Sequence, residues 1–287
     1  MIPLHKFFTW QLAVTMLLIT LVFLAFGHSL QQGFAPVDDS FLLVENPAIR
    51  GITAENLKTV FTTYDPELYI PMVFVSYQLD YLIGGLDPFF FHLTNILLHI
   101  LSALLVVRIL RQLTGTTWLA WFSGFVFALH PLNTEAVVWL AGRKDLLSGV
   151  FFLGAMTLYL DAVKGKRKAL LASILLFLLA LLSKVIAVTF LGFIVLHMVL
   201  IERPRWNRKI AMRITPYAVL SVIFMIIAMG GKSRVLASTS LWDKVLVAAK
   251  STVFYLQKFL WPTDLVMIYP LQGDLHLLQA RILPYAI

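Results

Sequence analysis

The chain has 287 residues, is 60% hydrophobic and only 13% charged, and has a mean hydropathy of +0.85. A water-soluble domain needs a polar outer surface, so this composition excludes a soluble globule and indicates a multispanning membrane protein. The net charge of +8 is concentrated in short loops between apolar runs, as the positive-inside rule expects, which argues against nucleic acid as a partner. The absence of cysteine excludes disulfides and thiolate metal ligands.

Phe7 to Phe26 is a first apolar run, long enough to span, and is read as an uncleaved transmembrane helix with its N-terminus in the cytoplasm. Residues 28 to about 70 form the one long polar interval. It is too polar to span and too aromatic for a disordered tail, so a folded first external loop with short surface helices is expected. Thr53 is the expected N-cap of one of them, ending near Phe61. Ile70 to Leu86 carries Tyr77, Gln78, Asp80 and Tyr81, which suits a re-entrant or interfacial segment. Phe89 to Ile109 is a clear span with His92, Asn95 and His99 on one face, followed by Arg108 and Arg111. Trp118 to Leu129 returns outward and Leu146 to Leu160 goes back in, to the basic loop Lys164–Lys168. Ala169 to Leu182 leads out to a turn at Ser183-Lys184, and Val185 to Ile201 leads in to the second basic loop, 202–209. Ile214 to Met229 leads out again. Lys244 to Leu260, interrupted by Lys250 and Lys258, suits an amphipathic interfacial helix at least as well as a span, and Trp261-Pro262 ends it. The chain stops at Ile287 without a polar tail, which reads as a truncated single membrane domain; no internal repeat is seen.

The stretch from Leu129 to Asp145, the second external segment, holds His130, Glu135, Arg143, Lys144 and Asp145 within a few turns. Ionisable groups close to a bilayer are costly and tend to face a cavity where they pair or bind something. Pro131 suits a first helical turn, and a helix continuing from it would set Glu135, Trp139 and Arg143 on one face. The plainer reading is a membrane re-entry point with an incidental ion pair. Asp38-Asp39 supplies paired carboxylates in the first loop: one can act as general base toward a hydroxyl, and others can hold a divalent cation, Mg or Mn, against a phosphate. Arg143 and Lys144 can take a phosphate directly. The alternative for Asp38-Asp39 is a solvated acidic pair. For His92, Asn95 and His99 a hydrogen-bonding stripe between helices is preferred over a metal site, with His92 the functional member. Phosphate loops, nucleophile elbows and zinc spacings are missing.

Several blocks recur together. Asp38-Asp39-Ser40 is followed by Glu45-Asn46-Pro47, Tyr69-Ile70-Pro71-Met72, the Phe91–His99 run, and His130-Pro131-Leu132-Asn133-Thr134-Glu135-Ala136-Val137. Gly142-Arg143-Lys144-Asp145-Leu146-Leu147, Ser183-Lys184 and the Tyr255–Pro262 run complete the series. Over roughly residues 36 to 270 this resembles the membrane half of the transmembrane and tetratricopeptide-repeat O-mannosyltransferases and their bacterial relatives, in the GT-C glycosyltransferase superfamily. The resemblance implies an all-α polytopic GT-C-like bundle of about seven to nine transmembrane helices in a bacterial inner membrane or the ER membrane. It implies an inverting transfer of a mannose-like hexose from a polyprenyl-phosphate donor to a protein or glycan hydroxyl outside the cytoplasm. Asp38 or Asp39 would then match the catalytic base, and His92, His130, Glu135, Arg143, Lys144, Asp145 and Lys184 would line the cavity or hold the donor phosphate. Two departures stand out: Lys184 is followed by Val185 where the family often has Glu, and Phe190 stands where it has a proline. The repeats are absent from this sequence as well. A non-catalytic carrier-binding or assembly subunit on the same scaffold is the alternative.

Overall fold

The protein is described by a computed structural model over residues 4–36, 38–64, 68–203, 207–231 and 241–266. Among the described residues there is no strand. Five apolar helical segments are long enough to cross a membrane: Thr9–Gln31, Pro88–Thr114, Leu140–Val163, Val185–Glu202 and Arg208–Gly231. Shorter apolar helices, Thr117–Leu129 and Lys168–Ser183, lie between them. This is the all-α polytopic architecture that the composition requires. Its outward surface carries Leu24, Leu82, Ile83, Leu171 and Leu196, each at least 60% exposed, an exposure of large aliphatic side chains suited to lipid rather than water.

In chain order, α1 (Leu4–Phe26) leads through a 3₁₀ turn (Gly27–Gln31) into the first loop. That loop contains a π turn (Ser40–Val44), a 3₁₀ turn (Pro47–Ile49) and α2 (Ala54–Thr62). Thr53 caps α2 as expected, its hydroxyl accepting from Asn56 N at 3.1 Å. Next comes α3 (Pro71–Gly84), whose 14 residues extend roughly 21 Å, short of a bilayer core of about 30 Å. The long helix α4 (Pro88–Thr114) starts where Asp87 accepts from Phe89 N and Pro88 occupies the first turn. It stops at Gly115, whose φ of +70° takes the left-handed conformation a side chain would resist. After α5 (Thr117–Leu129) and α6 (Thr134–Val138) come α7 (Arg143–Val163), α8 (Arg167–Ser183), α9 (Phe190–His197) and α10 (Arg208–Gly231). The last described helix is α11 (Leu241–Leu260). The sequence reads Gly230 to Asp243 as an external connection, and residues 232–240 of it lie outside the described residues.

Three apolar clusters hold these elements. One joins the first loop to α3 and the second segment through Leu43, Ile49, Val73, Tyr77, Phe91 and Leu140. Another joins α1, α4 and α5 through Leu18, Val22, Ile96, Ala103 and Ala120. The third packs α7 to α10 around Tyr159, Phe177, Phe190 and Tyr217. Buried hydroxyls bridge helices there: Ser148 donates to Ala180 O, Ser173 to Ala155 O, and Tyr217 to Ser173 Oγ. Where lipid offers no hydrophobic drive between helices, such bonds contribute about 0.6–2 kcal/mol each.

Candidate active site

The second segment does not continue as one helix from Pro131, which corrects the expectation that Glu135, Trp139 and Arg143 share a face. A 3₁₀ turn (Pro131–Asn133) precedes α6, Trp139 is extended at φ −77° and ψ 124°, and a second 3₁₀ turn (Leu140–Gly142) precedes α7. The physical reason lies in the neighbouring helices, which supply hydrogen-bond partners to the backbone that the break frees. Asn95 donates to Val137 O and Trp139 O at 3.2 and 3.3 Å, and Tyr77 donates to Leu140 O at 2.9 Å. Ala141 N donates to Asp39 Oδ1 at 2.9 Å. A buried backbone that leaves the helical ladder needs such partners for its N–H and C=O groups. Gly142 is required by close approach: a Cβ there would lie 2.9 Å from Ala136 O and 3.2 Å from Glu135 O.

Asp39 therefore reaches across 102 positions of sequence to hold the second segment, while its Oδ2 accepts from Ala35 N at 2.8 Å. It is 1% exposed. Burial raises its pKa above the ordinary carboxyl value; the two backbone N–H groups and Lys144 oppose that shift, and the Asp38 charge adds to it. Asp38 is half-buried, and among the described residues its carboxylate accepts no hydrogen bond. The two acids of the pair thus have different surroundings.

Asp39, His92, Glu135 and Trp139 line one cavity of about 820 Å³, closed by Gln32, Gly33, Pro131, Leu132 and, from α11, Tyr255. Glu135 is exposed into it. His92 is 2% exposed and, among the described residues, neither ring nitrogen has a hydrogen-bond partner. Lys144 stands beside the cavity with its Nζ 5.0 Å from the centre of the Trp139 ring.

The other expected site residues go elsewhere. His130 caps the Pro131 turn, its Nδ1 accepting from Leu132 N at 3.3 Å, which leaves Nε2 to donate to Phe259 O at 2.9 Å. With its ring stacked on Phe259, it fastens α11 to the second segment. Arg143 is fully buried in the core. Each of its nitrogens donates within the protein: Nε to Asn95 Oδ1 at 2.8 Å, Nη1 to Asp80 in an ion pair, Nη2 to Phe91 O. The guanidinium also lies 4.7 Å from the Tyr77 ring centre, and Thr94 donates to the second oxygen of Asp80. Arg143 lines neither cavity, so a direct hold on phosphate does not fit its position. The frame residues Asp80, Asn95 and Tyr77 carry no catalytic signature in sequence; their polarity in apolar runs was the only signal of their importance.

Lys184 forms an ion pair with Asp145 and lines a second cavity of about 530 Å³. The rest of that cavity is chiefly apolar, with Leu68, Ile70, Val185, Ile186 and Phe224, and Tyr255 lines it too. Among the described residues no three Asp, Glu or His side chains converge, and each Asp39 oxygen accepts one backbone N–H. Among the described residues no resident Mg or Mn site is built, and no step is assigned to such an ion.

No family model matches the chain, and no solved structure matches it. Several curated proteins do. Protein O-mannosyl-transferase tmtc2 of Xenopus laevis is 41% identical over 92 residues, 32% of this chain and 11% of that protein. Drosophila melanogaster protein O-mannosyl-transferase Tmtc2 is 39% identical over 127 residues, 42% of this chain and 14% of its own length. Human protein O-mannosyl-transferase TMTC1 is 32% identical over 146 residues, 47% of this chain and 16% of its own. The matched region thus spans less than a fifth of these relatives. Over up to about half of its length, this integral membrane chain resembles the TMTC-type protein O-mannosyltransferases.

Proposed function

We propose that the chain is an inverting GT-C-type glycosyltransferase that moves a mannose-like hexose from a polyprenyl phosphate to a hydroxyl, on protein or glycan, at the extracytoplasmic face of the membrane. One observation carries the reading: a buried carboxylate of raised pKa, Asp39, on the wall of a large cavity in a chain that resembles protein O-mannosyltransferases. Two backbone N–H groups fix that carboxylate while leaving lone pairs for a proton. Asp39 rather than Asp38 is then the general base, since Asp39 lines the cavity.

In the step that follows, Asp39 takes the acceptor hydroxyl proton, the acceptor oxygen bonds to the sugar C1, and the C1–O bond to the carrier breaks. The bonding pair leaves on the phosphate, which needs no proton. The apolar cavity beside Lys184 suits the lipid end of such a donor, and an ammonium with three donors can hold Asp145 and a phosphate oxygen together. Stabilising charge on the leaving group is where such an enzyme gains most.

The test is turnover of polyprenyl-phosphate mannose by the chain in lipid nanodiscs, with Asp38→Asn and Asp39→Asn beside wild type. Collapse of turnover in Asp39→Asn alone, with folding retained, is the expected result; full activity of that variant overturns the assignment. A carrier-binding subunit is the second reading, favoured because both Asp39 oxygens already serve the backbone. Tight donor binding by wild type without turnover would establish it.

A further inference from the structure

Among the described residues, ten buried side-chain nitrogen or oxygen atoms have no hydrogen-bond partner. Three of them, His92 Nδ1, His92 Nε2 and Trp139 Nε1, belong to residues lining the same cavity as Asp39 and Glu135. Buried polar groups are overwhelmingly paired, so this concentration asks for a partner that the described residues do not supply. The Gln32–Gly33 backbone borders the imidazole on the cavity wall without meeting hydrogen-bond geometry.

The chemistry of the lining narrows that partner. A neutral imidazole offers one donor and one acceptor, the indole N–H one donor, and the two carboxylates only acceptors. Together these complement hydroxyl groups, each of which both donates and accepts. The indole ring adds an apolar surface of the size of a pyranose face. Among the described residues no lysine or arginine lines this cavity, and two carboxylates there repel a phosphate. Lys144 stands at its edge over the Trp139 ring, whereas Lys184 lines the apolar cavity itself, and Tyr255 lines both spaces.

We propose that the larger cavity is a hexosyl subsite: His92 and the Trp139 indole N–H hold sugar hydroxyls, while the carrier phosphate stays outside it on the Lys184 side. The assignment rests on the glycosyl-transfer reading and names the part of the substrate that each cavity takes.

The experiment measures binding of undecaprenyl phosphate mannose and of bare undecaprenyl phosphate to the 287-residue chain in nanodiscs. Wild type is expected to bind the mannosyl lipid about tenfold more tightly than the bare carrier. His92→Phe and Trp139→Phe should lose most of that increment and bind the bare carrier within about twofold of wild type. His92→Gln, which keeps a donor and an acceptor, should restore part of it. Equal affinity of wild type for the two lipids, or an increment unchanged in both Phe variants, overturns the subsite and leaves carrier binding standing. If His92→Phe does not fold, an unchanged increment in Trp139→Phe is enough to overturn it. Failure of wild type to bind either lipid overturns the glycosyl-transfer reading, and the subsite with it.

Discussion

At the residue scale, Asp39 and Arg143 are both buried charges, and their surroundings give them different work. Burial raises the Asp39 pKa above 3.8, so its proton is held to higher pH than in an ordinary aspartate. A general base must be ionised, so turnover should rise with pH through that raised value, and the acid limb of the pH–rate profile should lie above pH 3.8. The folded state binds this proton more tightly than the unfolded chain, so the same shift removes stability as pH rises from 3.8 through the folded pKa. An acid limb left in place by Asp39→Asn would assign it to another group. Arg143, by contrast, neutralises Asp80 and ties three donors into the core. Arg143→Met strands that carboxylate and should cost about 3–5 kcal/mol in thermal unfolding in detergent. Adding Asp80→Asn should recover part of the loss. A wild-type melting temperature for the single variant would show that the pair is not a keystone.

At the scale of elements, the broken passage from α5 to α7 is what brings the site together. Had residues 131–143 run on as a helix, Leu140 O and Ala141 N would be satisfied within it and could not serve as anchors for Tyr77 and Asp39. Gly142 allows the second turn to press against α6, with backbone as the obstacle to any side chain. Gly142→Ala should therefore cost about 1–3 kcal/mol and pull Ala141 N from Asp39. The expected readout is a lower melting temperature together with a fall in turnover larger than any fall in carrier binding. Equal stability and turnover would show that the turn has room to move.

At the scale of the whole molecule, the first loop and the second segment must face the same side of the membrane, because Asp39 and Ala141 are hydrogen-bonded. The basic turn around Lys166 lies at the far end of α7 from that bond. The natural chain contains no cysteine, so single introduced thiols report topology without background. Cysteines at Glu55 and Glu135 should react with a membrane-impermeant maleimide from one side of sealed vesicles, and a cysteine at Lys166 from the other. All three positions are exposed. Labelling of Glu55→Cys and Lys166→Cys from the same side would break the proposed arrangement.

Apolar length and composition, read along the chain, determined the helical membrane architecture, the Thr53 cap and the shortness of α3. These depend on periodicity and on residues close in sequence, which a linear reading can see. The same reading picked out Asp39, His92 and Glu135, because polar groups at the edges of apolar runs are costly and therefore conspicuous. Only the tertiary structure separated Asp39 from Asp38, turned Arg143 into the core, made His130 a fastening for α11, and divided a carboxylate cavity from a lysine-bearing one. Those outcomes depend on which backbone groups the neighbouring helices satisfy. Asn95, Tyr77 and Asp39 decide where the second segment bends, and no local propensity around Trp139 records their presence.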